Sequence, residues 1–236
     1  MRTLKKIRNN LKDLACPIKA MSLQRFFKTG KGEYGEGDKF LGIVVPKQRQ
    51  LAKIYHELSL DNLKILLASP LHEERLTALL ILVLQYQKAD PANQKQIFNF
   101  YFANVSGINN WDLVDLSAPY IVGTYLLDKD KKFLHELITA KNLWKRRIAI
   151  VATWQFIRNN YFKETLVLAK KSLSDKEDLI HKASGWMLRE VGKRDFTVLD
   201  NFLRKHYQTM PRTMLRYAIE KFPEKLRLAY LRSTIT

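Results

Sequence analysis

Cysteine is almost missing from this chain. Cys16 is the only one in 236 residues, which excludes an internal disulfide framework and a thiolate metal site. Histidine is sparse and scattered: His56, His72, His135, His181 and His206 show no HExxH or comparable ligand spacing, so no metal is expected. No stretch reaches transmembrane length. The basic N-terminus through Leu14 lacks the apolar run of a signal peptide. Together these point to a soluble protein of a reducing, intracellular compartment, the cytoplasm. Glycine and proline number only nine and seven, and the spacing of apolar residues between them is mostly helical. Acidic residues are also in short supply, 23 against 41 Lys and Arg.

What is present in excess is positive charge. The net charge is +18 and the pI about 9.9. Self-repulsion of that size calls for an anionic partner, and nucleic acid leads the candidates. A membrane surface would favour a polybasic cluster beside an amphipathic anchor, whereas here the cations are spread along the chain. A hydrophobic fraction of 46% suffices for a sizeable core or an elongated repeat array.

Helices are expected over about 2–14, 18–28, 46–57, 61–68, 71–88, 91–103, 110–127, 130–139 and 142–159, then 161–172, 175–193, 195–206, 211–221 and 223–232. Apolar-rich helices start near His72, Trp111, Asn142 and Lys176, spaced by 39, 31 and 34 residues, with a weaker fifth near Pro211. Paired helices at this period signal an all-α fold, an α-solenoid of HEAT-like antiparallel pairs with a concave basic groove. No linker divides the chain, so residues 1–236 read as one domain.

Chemistry concentrates at Asn109-Asn110-Trp111-Asp112-Leu113-Val114-Asp115. Trp111 and Asp115 are four apart and share a helix face. A carboxylate beside an exposed indole suits a cationic, partly apolar group. Asp112 reads as a first-turn acid favoured by the helix dipole, with Asn109 or Asn110 as N-cap. Further on, Lys182, Trp186, Arg189 and Lys193 make one stripe suited to phosphate and a sugar or base. Trp186 is read as exposed, against the commoner core role of tryptophan. Trp144, Arg147 and Arg158 lie on a comparable line, with Ile150, Trp154 and Ile157 facing the core, and Arg212 and Arg216 repeat the theme. Trp144 reads as structural, and Arg147, beside Arg146, has a bland alternative as a solvated basic face.

Gly30, Gly32 and Gly35 fit G-x-G-x-x-G formally, but this loop follows a helix and carries Glu33, Glu36 and Asp38, which repel phosphate. A β-hairpin or an ordered cap is expected instead, with Tyr34 at its tip. No GxSxG or P-loop is present, and Cys16 has no histidine near it in sequence.

Over nearly its whole length the chain resembles the HEAT-like-repeat alkylpurine DNA glycosylases of the AlkD type. Phe40-Leu41-Gly42-Ile43 with Pro46 and Arg49 is similar to that family's first-repeat motif. Asn110–Asp115 is similar to its catalytic W-D-x-V-D segment. Asn142–Arg147 and Gly185–Glu190 are similar to its third and fourth landmarks. The resemblance implies a catalytic carboxylate at Asp115, with Trp111 and Trp186 packing on the lesion's deoxyribose. It implies a phosphate contact at Arg147 and a DNA-facing Arg189, excision of N3- and N7-alkylated purines from duplex DNA by a monomer, and no cofactor. It also implies cleavage of a lesion still stacked in the duplex. Phe26 departs from the pattern, standing where relatives can place an aromatic hydroxyl, and the Gly30–Asp38 loop is longer than in the simplest members. Because some relatives bind DNA structures without excising bases, the alternative is a non-catalytic binder of branched or damaged DNA.

Overall fold

A computed structural model describes residues 3–235. Its helices are α1 (Leu4–Asp13), α2 (Pro17–Phe26), α3 (Val45–Ile54), α4 (Leu60–Leu67), α5 (His72–Lys88), α6 (Pro91–Ala103), α7 (Trp111–Asp115) and α8 (Thr124–Leu126). There follow α9 (Lys132–Leu137), α10 (Leu143–Ala152), α11 (Trp154–Arg158), α12 (Lys163–Lys171), α13 (Asp178–Arg194), α14 (Phe196–His206), α15 (Arg212–Ala218) and α16 (Glu224–Arg232). The fold is all-α. Among the described residues the extended structure is limited to one bridge, Lys39 with Leu71. Residue 2, the expected start of α1, lies outside the described residues. No described helix is long and apolar enough to cross a membrane.

The chain divides between Ile121 and Val122 into two compact units. In the first, α5 is the hub, packed by α1, α3, α4, α6 and α7. Partners on so many sides explain why α5 is buried nearly all round, from His72 through Val83 and again at Tyr86. In the second, α13 is the hub. It lies between α10 and α15 and also packs on α11, α12 and α14, the neighbour-on-neighbour pairing of an α-solenoid. Gly185 lets α13 and α15 touch backbone to backbone, since a Cβ there would sit 2.4 Å from the Met214 carbonyl oxygen. Leu188, Leu199, Leu203, Met214 and Tyr230 fill the core of this unit.

Two expected long helices are broken. The one over 110–127 stops at Asp115, passes through a π-turn at Pro119–Gly123 and resumes as α8. Pro119 has no N–H to offer the Asp115 carbonyl four residues back, and Ser117 turns its hydroxyl onto the Leu113 carbonyl at 2.5 Å. The one over 142–159 breaks at Thr153, whose N–H and hydroxyl both bond the Ile150 carbonyl, at 3.1 and 2.7 Å. This tightened turn shifts the helical phase beyond it. Ile150 and Ile157 stay buried, but Trp154, expected in the core, is only half-buried, with Arg158 lying 4.8 Å over its ring.

The Gly30–Asp38 segment is an ordered cap rather than a β-hairpin. Glu33 accepts from the Gly30 N–H and Glu36 from the Gly32 N–H, both at 2.8 Å. Two of the three acids that argued against a phosphate site, Glu33 and Glu36, are the ones that fold the loop.

Candidate functional site

The site begins at the entry to α7. Asn110 is the N-cap, its side-chain oxygen accepting from the Trp111 N–H at 2.8 Å, while its amide nitrogen donates to Asp38 at 3.2 Å. Asp112 stands in the first turn of α7, as its helix-dipole reading has it, but it also has a partner that the sequence did not show. It is buried and accepts a 2.8 Å hydrogen bond from His72 Nε2. The other ring nitrogen of His72 meets Asp38 at 3.1 Å, and Arg75 donates to the second Asp38 oxygen at 2.6 Å.

Two carboxylates, one imidazole and one guanidinium thus share a buried cluster. Burial alone would depress the His72 pKa, but the hydrogen bonds from its ring to Asp112 and Asp38 outweigh it and raise the value to about 9. Burial pushes Asp38 the other way from its partners, and His72 and Arg75 together hold its carboxyl below the usual range. With both nitrogens facing carboxylates, the ring is an imidazolium at neutral pH.

The neighbouring charges of α5 are buried with equal care. Glu73 accepts from the backbone N–H groups of Leu41, Gly42 and Ile43 at 2.8, 2.8 and 3.1 Å, strapping the 38–43 segment to the helix. Glu74 pairs with Arg8 at 3.0 Å. Gly42 is obligatory in this strap. Its φ is +85°, and a Cβ would stand 2.2 Å from the Cys16 carbonyl oxygen.

Above the cluster, aromatic rings stack in series. Trp111 lies on Phe27 with centroids 5.0 Å apart and planes 16° from parallel. Phe27 lies on Phe40 at 4.9 Å, and Phe40 on the His72 ring at 4.4 Å. Phe26, mostly exposed, meets the edge of Trp111 at 5.9 Å. These rings wall an apolar cavity of about 420 Å³, whose lining includes Val44, Pro46, Trp111 and Asp115. Asp115 and Trp111 are both half-buried and both line this cavity, in keeping with their four-residue spacing.

The remaining sequence candidates belong to the second unit. Trp186 is half-buried rather than exposed, its indole N–H donating to Glu190 at 3.2 Å. Lys193 also reaches Glu190, at 2.8 Å, and Lys182 pairs with Asp178 at 2.8 Å. Arg189 pairs with Glu220 of the segment after α15 and lies near Glu190. The stripe read as three cations and an indole is therefore interleaved with acids. Arg147 is buried, with Nη1 donating to the Leu179 carbonyl at 2.6 Å, and Arg146 pairs with Asp175 at 2.7 Å. The solvated-face alternative for Arg147 is thereby corrected. Trp144 is buried, as its structural reading required. Arg158, Arg212 and Arg216 are exposed, and Arg212 donates to the Leu231 carbonyl at 3.0 Å.

Sequence reasoning missed Asp38, His72, Glu73 and Arg75. The available signal was four charged or titratable residues in a row, His72-Glu73-Glu74-Arg75, opening a helix whose next ten residues are almost all apolar. Among the described residues no group of three or more His, Cys, Asp or Glu is arranged to hold a metal ion.

A search of curated protein sequences finds no match to the chain. Among solved structures, it is similar to a predicted DNA alkylation repair enzyme from Enterococcus faecalis, with a TM-score of 0.68 and 16% identity over 89% of this chain and 97% of that one. It is also similar to smu.31 from Streptococcus mutans UA159, with a TM-score of 0.51 and 18% identity over 94% and 99%. Identities this low speak to the fold alone. The family model described as DNA alkylation repair enzyme matches residues 7–222, and the chain belongs to that family, with its role in the repair of alkylated DNA.

Proposed function

We propose that the protein is a monofunctional DNA glycosylase that hydrolyses the N-glycosidic bond of cationic N3- and N7-alkylated purines in duplex DNA. The observation that supports this most is the placing of Asp115 beside Trp111 on the wall of an aromatic cavity, in a chain of net charge +18. An alkylated purine is already cationic, so it leaves as a neutral base and needs no strong general acid. The sugar left behind has oxocarbenium character, as in glycoside hydrolysis. Asp115 stabilises that charge and orients the attacking water, and the indole of Trp111 packs against the sugar. Trp186 takes the same packing role, and Arg147 and Arg189 contact phosphate. Lys182, Lys193, Arg158, Arg212 and Arg216 supply the diffuse attraction of a basic groove. The whole chain acts as one domain and as a monomer, and no step requires a cofactor.

The test is release of free 3-methyladenine and 7-methylguanine from methylated duplex DNA, wild type beside Asp115→Asn. Release by the wild type, lost in the variant with DNA binding retained, is the expected result. A folded wild-type protein that binds DNA and releases no base would replace the glycosylase with a binder of damaged or branched DNA.

A further inference from the structure

The helix carrying Trp111 and Asp115 has five residues, too few to be stable by itself. It ends four residues before Pro119, which cannot extend its hydrogen-bond ladder. What holds it in place lies elsewhere in the first unit. Its N-cap, Asn110, is tied to Asp38, and its second residue, Asp112, is tied to His72. His72 is tied in turn to Asp38. The same His72 ring is the base of the stack that runs through Phe40 and Phe27 to Trp111. Hydrogen bonds and ring contacts therefore close a circuit from His72 to α7 along two routes.

We infer that His72 is a positioning residue that presents the Trp111 indole and the Asp115 carboxylate at a fixed spacing on the cavity wall. Its two N–H groups hold Asp112 and Asp38 together, and its face supports the rings beneath the indole. As an imidazolium it balances those carboxylates together with Arg75, leaving the buried cluster without net charge. Loss of the ring proton would leave one carboxylate short of a donor and release the helix at its second residue. The groups facing the ring are Asp38 from the 38–43 strap, Asp112 from α7 and Arg75 from its own helix. Phe27 and Phe40 contact its ring, and Glu73 and Asp115 line the same cavity.

The structural arm of this inference stands apart from the proposed chemistry, and only the excision arm rests on the glycosylase reading. In the intact wild-type protein, ¹⁵N NMR of the histidine rings reads the His72 proton, and 5-fluorotryptophan labelling reads the four indoles by ¹⁹F. The Trp111 resonance is identified by its loss in Trp111→Phe. The expected result is a His72 ring protonated on both nitrogens at pH 7 that titrates near 9. The Trp111 signal follows the same midpoint, and those of Trp144, Trp154 and Trp186 do not. A neutral His72 ring at pH 7, or a Trp111 signal indifferent to the titration, would overturn the inference. In the excision arm, folded His72→Gln releases alkylated base about ten- to a hundredfold more slowly in single turnover, the scale of a small misplacement of reacting groups, with unchanged affinity for DNA. An unchanged rate in that variant also overturns it. If the wild type itself releases no base, the glycosylase reading fails, and the ¹⁹F titration alone decides the role of His72.

Discussion

Asp112 and His72, forty residues apart in sequence, are joined by a 2.8 Å hydrogen bond inside the first unit. The bond links the N-terminus of the hub helix to the short helix that bears the candidate catalytic carboxylate. It converts a motif that looks local, Trp-Asp-Leu-Val-Asp, into one whose geometry depends on residues far upstream.

This bond makes stability fall as the pH rises into the alkaline range. His72 titrates near 6.5 when unfolded and near 9 in the folded protein. Its contribution is therefore fully present below pH 6.5 and is lost as the pH rises through 9. The shift corresponds to about 3 kcal/mol at most. Urea unfolding between pH 6 and 10 should show this decline, and His72→Gln should abolish that part of it.

Glu73→Gln removes the charge that three consecutive backbone N–H groups share. Charge-assisted bonds of this kind contribute about 1.5–3 kcal/mol. The variant should lose stability of that order in denaturant titrations. The 38–43 segment should also lose hydrogen-exchange protection while the core of α13 keeps its own.

Gly42→Ala combines a left-handed backbone with a collision against the Cys16 carbonyl. The strain alone costs about 1–2 kcal/mol, and the chain must also separate α2 from the strap. A drop in midpoint larger than that of Gly32→Ala, where φ is also positive but no atom lies within 4 Å, is expected in thermal melts.

Glu220 pairs with Arg189 in the free protein, and the proposed phosphate contact of this arginine would compete with that pairing. Glu220→Gln should release this arginine and raise DNA affinity severalfold at low salt, and the gain should vanish in the Arg189→Ala background. Anisotropy titrations across a salt series read both effects.

Arg147→Ala and Arg189→Ala should each lower the slope of log affinity against log salt by about one, the signature of one lost phosphate contact. Because Arg147 is buried against the Leu179 carbonyl, its replacement should also lower stability, whereas Arg189→Ala should not. Equal slopes for both variants and the wild type would place these arginines off the DNA path.

The sequence by itself determined the helices and much of the pairing between them. Helix periodicity, the N-cap at Asn110, and the start of α3 around Pro46 depend on residues within one or two turns of each other. The same locality made the Trp111–Asp115 face legible. Local patterns failed where hydroxyls competed for backbone carbonyls, at Ser117 and Thr153, since a break there changes the phase of everything beyond it. Trp154 left the core for that reason.

Only the tertiary structure decided which charges are buried and with whom. Asp38 reaches Asn110 across 72 residues, His72 reaches Asp112 across forty, and Arg189 reaches Glu220 across 31. A lone acid or cation in a sequence looks solvated, because the cost of burying it is offset only by a partner that folding brings near. That is why the first-turn position of Asp112 was legible but its buried partner was not, and why the Lys182–Lys193 stripe read as bare positive charge. The fold seats Asp112 on an imidazolium and sets Glu190 and Glu220 among the cations.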